Sequence, residues 1–232
     1  MRAVHESFLA LEVLSTPRES SASRPPEVER WLEAQLGVGA ADKRNERGDT
    51  QLSRHPLFGA VRGFASAHCR ITEDAVEMRH LQVSLGPENQ VIEAAAQVLH
   101  GHQGELVLYG GRSWPLRFLI KRSVAIRTPA RHVFRDPSSR TFDLADVFSD
   151  GHLVPPIGFA LRELGIADLH ETMTQDAVCE HLRCGDHAPL VKSMMRSVES
   201  IARMYAAVIE GDLLTVEWQI APPADFEPLP ET

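Results

Sequence analysis

The densest set of metal-ligand residue types in the chain is CEHLRCGDH, which carries Cys179, His181, Cys184 and His187. Thiolate and imidazole are the usual donors to zinc. On a helix His181 and Cys184 share a face, but Cys179 is rotated by about 200° from His181, which is poor geometry for four ligands on one ion. A second kind of chemistry is signalled by Glu12, a carboxylate inside the apolar run FLALEVL. A carboxylate on a central strand must be hydrogen-bonded, paired or metal-bound, because leaving it dry costs on the order of several kcal/mol. Arg112, in a turn expected at the carboxyl edge of a sheet, is the candidate partner. Asp143 and Asp146 could also be taken for ligands to a cation. The densest basic stretch holds Arg112, Arg117, Lys121, Arg122, Arg127 and Arg131, either a track for phosphates or a solvated helix face. His132 has no recognisable nucleophile motif near it, so a packing or surface role is expected.

These residues must be positioned by regular elements. Residues 4–14 predict a strand, with Leu9, Leu11 and Val13 on one face and Phe8, Ala10, Glu12 and Leu14 on the other. Apolar residues on both faces place it centrally. The following stretch, rich in Ser, Pro, Gly and charge, predicts a loop insertion over 15–55 with at most a short helix around Glu27 to Leu36. Two alternating runs, Phe58 to Glu77 and on to Leu85, predict a hairpin turning at Thr72 to Ala75. A helix is expected from Pro87 to His100, a short buried strand from Leu106 to Tyr109, and a helix over 113–122 after Gly110 and Gly111. An extended piece near Thr141 to Leu144 precedes helices over 155–164, 172–183 and 188–210. The last has a continuous apolar stripe, including Leu190, Met194, Val198, Ile201 and Tyr205. Alternation from Leu213 to Ile220 predicts a final strand, and the acidic, proline-rich residues 221–232 predict a disordered tail.

A chain of 232 residues, 43% hydrophobic and 24% charged, has the composition of an ordinary globular domain. No apolar run reaches the roughly 20 residues of a membrane span. Glu6 and Glu12 break the layout of a secretory signal, and three cysteines, Cys69, Cys179 and Cys184, suggest reduced thiols. A cytoplasmic protein is expected. The net charge of −8 weighs against broad, sequence-blind binding of nucleic acid but leaves room for a local basic groove.

Three parts of the chain then carry a resemblance: FLALEVL, then ELVLYGGRSWPLRFLIKRSVA, then FDLADVFS with ALRELGI and CEHLRCGDHAPLVKSMMRSVESIARMY. In this order they resemble the DEDD 3′–5′ exonucleases of the ribonuclease-H-like fold, specifically those related to the proofreading domain of family B DNA polymerases. The middle segment, similar to the family's strand, N-G-R-S-F-D-L-P-x-L and helix, is the most specific. The likeness covers most of residues 4–210 apart from the insertion.

It implies an α/β, ribonuclease-H-like domain over 1–220: a mixed sheet with helices on both faces, plus an extra C-terminal strand. It also implies a reaction in which two divalent ions, Mg or Mn, about 4 Å apart clamp a phosphodiester and are held by several carboxylates. The acids themselves are mostly replaced. Ala10 stands at the first Asp of D-x-E, and Glu12 keeps the second carboxylate; Pro115, preceded by Trp114, occupies the next Asp position; Met194 and Val198 fall on the Tyr and Asp of the last motif. Glu199 is a neighbour, but one step along a helix turns a side chain by about 100°. Asp143 and Asp146 sit where the family has a structural acid before its helical half, which implies a turn and a cap for them. Arg112, Ser113, Arg117, Lys121 and Arg122 are the expected nucleic-acid contacts. The expectation is therefore an exonuclease-like protein without catalysis and without a metal, a scaffold for a nucleic-acid end, a protein partner or a second copy. The alternatives are an active enzyme using Mg or Mn on Glu12, Asp143, Asp146 or Glu199, and a structural subunit of a DNA-processing or mobile-element assembly docked through the strand around Trp218 or the acidic tail.

Overall fold

The computed structural model describes residues 7–18, 52–72, 75–110, 114–130, 140–149, 154–166, 173–210 and 215–218, with single positions between 27 and 50. Its first strand, β1 (Ser7–Pro17), lies between the long β2 (Gly59–Ile71), antiparallel to it, and the short β4 (Glu105–Leu108), parallel to it. β3 (Ala75–Leu85) closes the expected hairpin with β2, and Thr72 ties the turn by accepting from Ala75 N and donating to Ala75 O. β5 (Thr141–Asp143) extends the sheet in parallel beyond β4, and β6 (Thr215–Trp218) runs parallel to β3 at the other border. The result is an α/β fold built on a six-stranded mixed sheet of order β5-β4-β1-β2-β3-β6. The C-terminal strand expected from the alternation after residue 213 is its sixth member.

Two cores follow from the alternation along β1. Leu9, Leu11 and Val13 point to one face, where α1 (Glu88–Gly101) and α2 (Trp114–Ala125) cover them with Val91, Ile92, Leu99, Leu116, Phe118 and Leu119. Phe8 and Ala10 point to the other face and meet α6 (Ala188–Glu210) through Met194, Val198, Ile201 and Tyr205. The remaining helices are α3 (Leu144–Phe148), α4 (Ile157–Glu163) and α5 (Gln175–Cys184). α3 and α4 add Leu144, Ala160 and Leu161 to this second core. α5 starts on a side-chain cap, Thr174 Oγ1 accepting from Ala177 N at 3.2 Å, and ends at Gly185 with φ of 70°, a conformation that favours glycine. No described helix is long and apolar enough to cross a membrane.

Three features depart from the sequence reading. β1 continues to Pro17, because Ser15, Thr16 and Pro17 pair with Val61, Ala60 and Gly59 after a bulge at Leu14. Their polar composition resembles a loop, and only the partner strand makes them extended. Residues 52–54, expected at the end of a loose insertion, form a helical turn whose Leu52 and Ser53 are buried. The five-residue α3 has no counterpart among the expected helices, although the cap expected at Asp143 is present and starts it, with Oδ1 accepting from Ala145 N at 3.1 Å and Gly110 N at 3.2 Å. The helix expected over 27–36 lies largely outside the described residues, as does the tail over 221–232.

Candidate functional site

The positions that the resemblance assigns to metal-binding acids on β1 and α6 come together in space. Ala10 pairs with Ala67 of β2 and Val107 of β4, and all three share one buried cluster with Met194 and Val198. Ala10 and Val198 have no exposure. The packing is tight: a Cβ added to Gly63 of β2 would lie 2.8 Å from Met194 Sδ and 2.7 Å from Leu85 Cδ2. Pro115 is buried in the first turn of α2, where a Cβ on Gly110 would come within 2.5 Å of its Cδ. Methyl, thioether and pyrrolidine groups offer nothing to a hard cation.

Glu12 is two residues along the strand from Ala10 and opposite Ala65. Burial pushes its carboxyl up from the ordinary 4.5 to about 7, against the pull of the Arg54 guanidinium and a backbone hydrogen bond at Val13. The cation that matters is therefore Arg54, from the segment before β2. Arg112, the partner expected from sequence, lies outside the described residues, as do Ser113 and His132. Arg54 is itself placed by α2: its guanidinium sits 5.5 Å from the Trp114 ring centroid, and its carbonyl accepts from Trp114 Nε1 at 3.0 Å. Trp114 in turn stacks on Phe118.

Two of the other acids considered as ligands, Asp143 and Glu199, already have structural work. Asp143 is the α3 cap described above. Glu199 is held by Arg203 at 2.5 Å, one turn along α6. Asp146 is exposed in the first turn of α3. Near the end of α5, His181 Nδ1 lies 3.1 Å from Asp186 Oδ2 and Cys184 Sγ donates to Glu180 Oε1, so Cys179, His181, Cys184 and His187 do not share a centre. Among the described residues no three His, Cys, Asp or Glu side chains are grouped to hold an ion.

The basic face needs one correction. Arg117 and Lys121 are exposed on α2, but Arg122 is turned inward and only 2% exposed. Its Nε and Nη2 donate to the Glu88 carboxylate at 2.7 and 2.6 Å, and Nη1 donates to Pro56 O at 2.8 Å. Glu88 also accepts from Val61 N at 2.9 Å, so the pair joins α1, α2, β2 and the segment before β2. An arginine spent in this way cannot meet a phosphate. Its inward turn depends on Glu88, an acid 34 positions away, which local spacing cannot reveal.

Sequence reasoning also missed a group of histidines. His68 of β2 lies 5.3 Å from His102 and 6.0 Å from His80 between ring centroids. His80 has φ of 51° in the bulge where β2 and β3 lose register. His102 follows α1, and its Nε2, 3.1 Å from Glu105 O, must carry the proton to bond a carbonyl. Burial lowers the pKa of both His68 and His102; the other two rings add to the effect on His68, and Arg140 adds to that on His102, while the bond to Glu105 opposes it. The Cys69 thiol is pushed up to about 12 by burial, which makes it inert. Compared with protein-family models and with curated proteins, the chain matches none of them.

Proposed function

We infer that the chain is an exonuclease-like protein of ribonuclease-H-like type that does not cleave phosphodiesters and serves as a scaffold for a nucleic-acid end or a protein partner. One observation carries this reading: Ala10, Met194 and Val198, the positions of the expected acids and tyrosine on β1 and α6, share a single apolar cluster, and of these matched positions on β1 and α6 only Glu12 keeps a carboxylate. The mixed sheet with helices on both faces is compatible with that architecture. Two magnesium or manganese ions need several oxygen donors. Glu12 supplies one side chain, burial pushes its carboxyl up to about 7, and the described residues around it do not fit the pair of ions.

A rearranged active site is less well supported, since Asp143 and Glu199 have their own partners. A docking role for the last strand rests on its place at the sheet border, beside β3. The experiment is direct. Protein freed of metal and then given magnesium or manganese is incubated with end-labelled single- and double-stranded DNA and RNA. No metal-dependent shortening is expected, and calorimetric titration with manganese should show no tight site; robust 3′ digestion would overturn the reading.

A further inference from the structure

A cleft of about 370 Å³ opens where the C-terminal end of β1 meets α5, and its wall includes Thr16, Arg62, Cys179, Arg183 and His187. Its volume lies at the lower end of the range for small-ligand pockets. Among the described residues that line it none is acidic, in a chain whose net charge is −8. Arg183 is neutralised by a two-point bond to Glu180, at 2.6 and 3.0 Å. Arg62 is different. It is half-buried on β2, its Nε donates weakly to Thr16 Oγ1 at 3.4 Å, and among the described residues it has no carboxylate partner. A half-buried guanidinium with free donors is costly unless an anion or water satisfies it.

The groups around Arg62 suit an oxyanion. Thr16 is 3% exposed, which fixes its hydroxyl beside the guanidinium. His187 immediately precedes the 23-residue α6, so the positive end of this helix lies next to the cleft wall. The Arg62 field reaches the Cys179 sulfur across the cleft. Asp176, which also acts on Cys179, Asp186, bonded to His181, and Glu180, spent on Arg183, are opposing charges in this region, and none of the three is among the described residues that line the cleft.

We propose that this cleft binds a phosphomonoester, with Arg62 as the principal donor and Thr16 and His187 beside it. Planar guanidinium donors match phosphate oxygens in pairs, and a dianion gains most where no acid opposes it. The residues of the cleft carry this inference by themselves; its connection to a nucleic-acid terminus rests on the functional reading above.

Cys179 makes the test possible without engineering a label. It is exposed and lines the cleft, Cys184 is exposed but does not line it, and Cys69 is buried. The full chain is alkylated with iodoacetamide, and the rates at Cys179 and Cys184 are read separately by mass spectrometry. The probes are inorganic phosphate, a 5′-nucleoside monophosphate, and a single-stranded oligonucleotide ending in either a phosphate or a hydroxyl. A bound dianion blocks the thiol and disfavours its thiolate, so the Cys179 rate should fall about five-fold at saturation while Cys184 changes little. Protection should disappear in Arg62→Gln and weaken in His187→Gln, with far-UV circular dichroism and the Cys184 rate reporting that each variant is folded.

Protection by the phosphate-ended oligonucleotide at far lower concentration than by free phosphate supports both the cleft and the nucleic-acid reading. Protection by phosphate and mononucleotide, with no preference for either oligonucleotide, supports the cleft and removes the nucleic-acid reading. Equal rates at Cys179 with every probe, or unchanged protection in a folded Arg62→Gln, overturns the cleft. Fluorescence anisotropy of the hydroxyl-ended oligonucleotide then judges nucleic-acid binding separately.

Discussion

Replacing Glu12 by Gln should stabilise the protein at alkaline pH and leave it unchanged in acid. Burial raises the folded-state pKa of Glu12 from 4.5 to about 7. Below pH 4.5 the carboxyl is protonated in both folded and unfolded chains, and glutamine imitates it at no gain. Between the two values the folded state holds more protons than the unfolded one, so stability falls as pH rises through this window. Above about 7 the full difference is felt, a ceiling on the order of 3 kcal/mol. Glu12 keeps some exposure, which brings the expected gain of the variant to about 1–3 kcal/mol. Urea denaturation of both proteins at intervals from about pH 4 to pH 9 measures the difference directly. Other titrating groups, His68 and His102 among them, cancel in that difference. Parallel pH profiles for the two proteins, or a glutamine variant that is weaker at the alkaline end, would refute the reasoning. A wild-type chain strongly stabilised by manganese would instead assign Glu12 to an ion.

The buried pair is the next test: Arg122→Met strands Glu88 without its cation and should cost about 3–5 kcal/mol in chemical denaturation. Gly63→Ala must displace Leu85 and Met194, and because both contacts are the ends of flexible side chains, about 1 kcal/mol is expected from the same assay. For the histidine group, the folded-state pKa of His68 lies below its unfolded value, so its neutral form contributes stability that is lost as pH falls below about 6.5. His68→Asn should therefore flatten the acid side of a thermal-unfolding pH profile and leave the region above pH 7 in place.

The parts of this fold that sequence reveals are those decided by a single period. Alternation along residues 8–14 assigns the two faces of β1, and the stripe from Leu190 to Tyr205 assigns the inner face of α6, so Val198 reads as core before any coordinates are known. Thr72 and its neighbours mark the hairpin because the turn is satisfied locally. What resists reading depends on distant partners. Ser15 to Pro17 look like a loop and become strand only beside Gly59 to Val61. Arg122 looks like surface until Glu88 is brought to it, and Arg54 acquires a role only when Trp114 anchors its segment. The cleft is harder still, since Thr16, Arg62 and His187 come from three unrelated stretches and share no spacing.

The placement of β6 has a consequence for synthesis on the ribosome. Its register joins Ala75 to Thr215, so the outer edge of β3 waits for roughly 140 further residues before its neighbour exists. A nascent chain therefore carries one long unfinished border through most of its translation. The last turns of α6, emerging just before that strand, deliver the piece that covers the first part of the border, Ala75 to Met78.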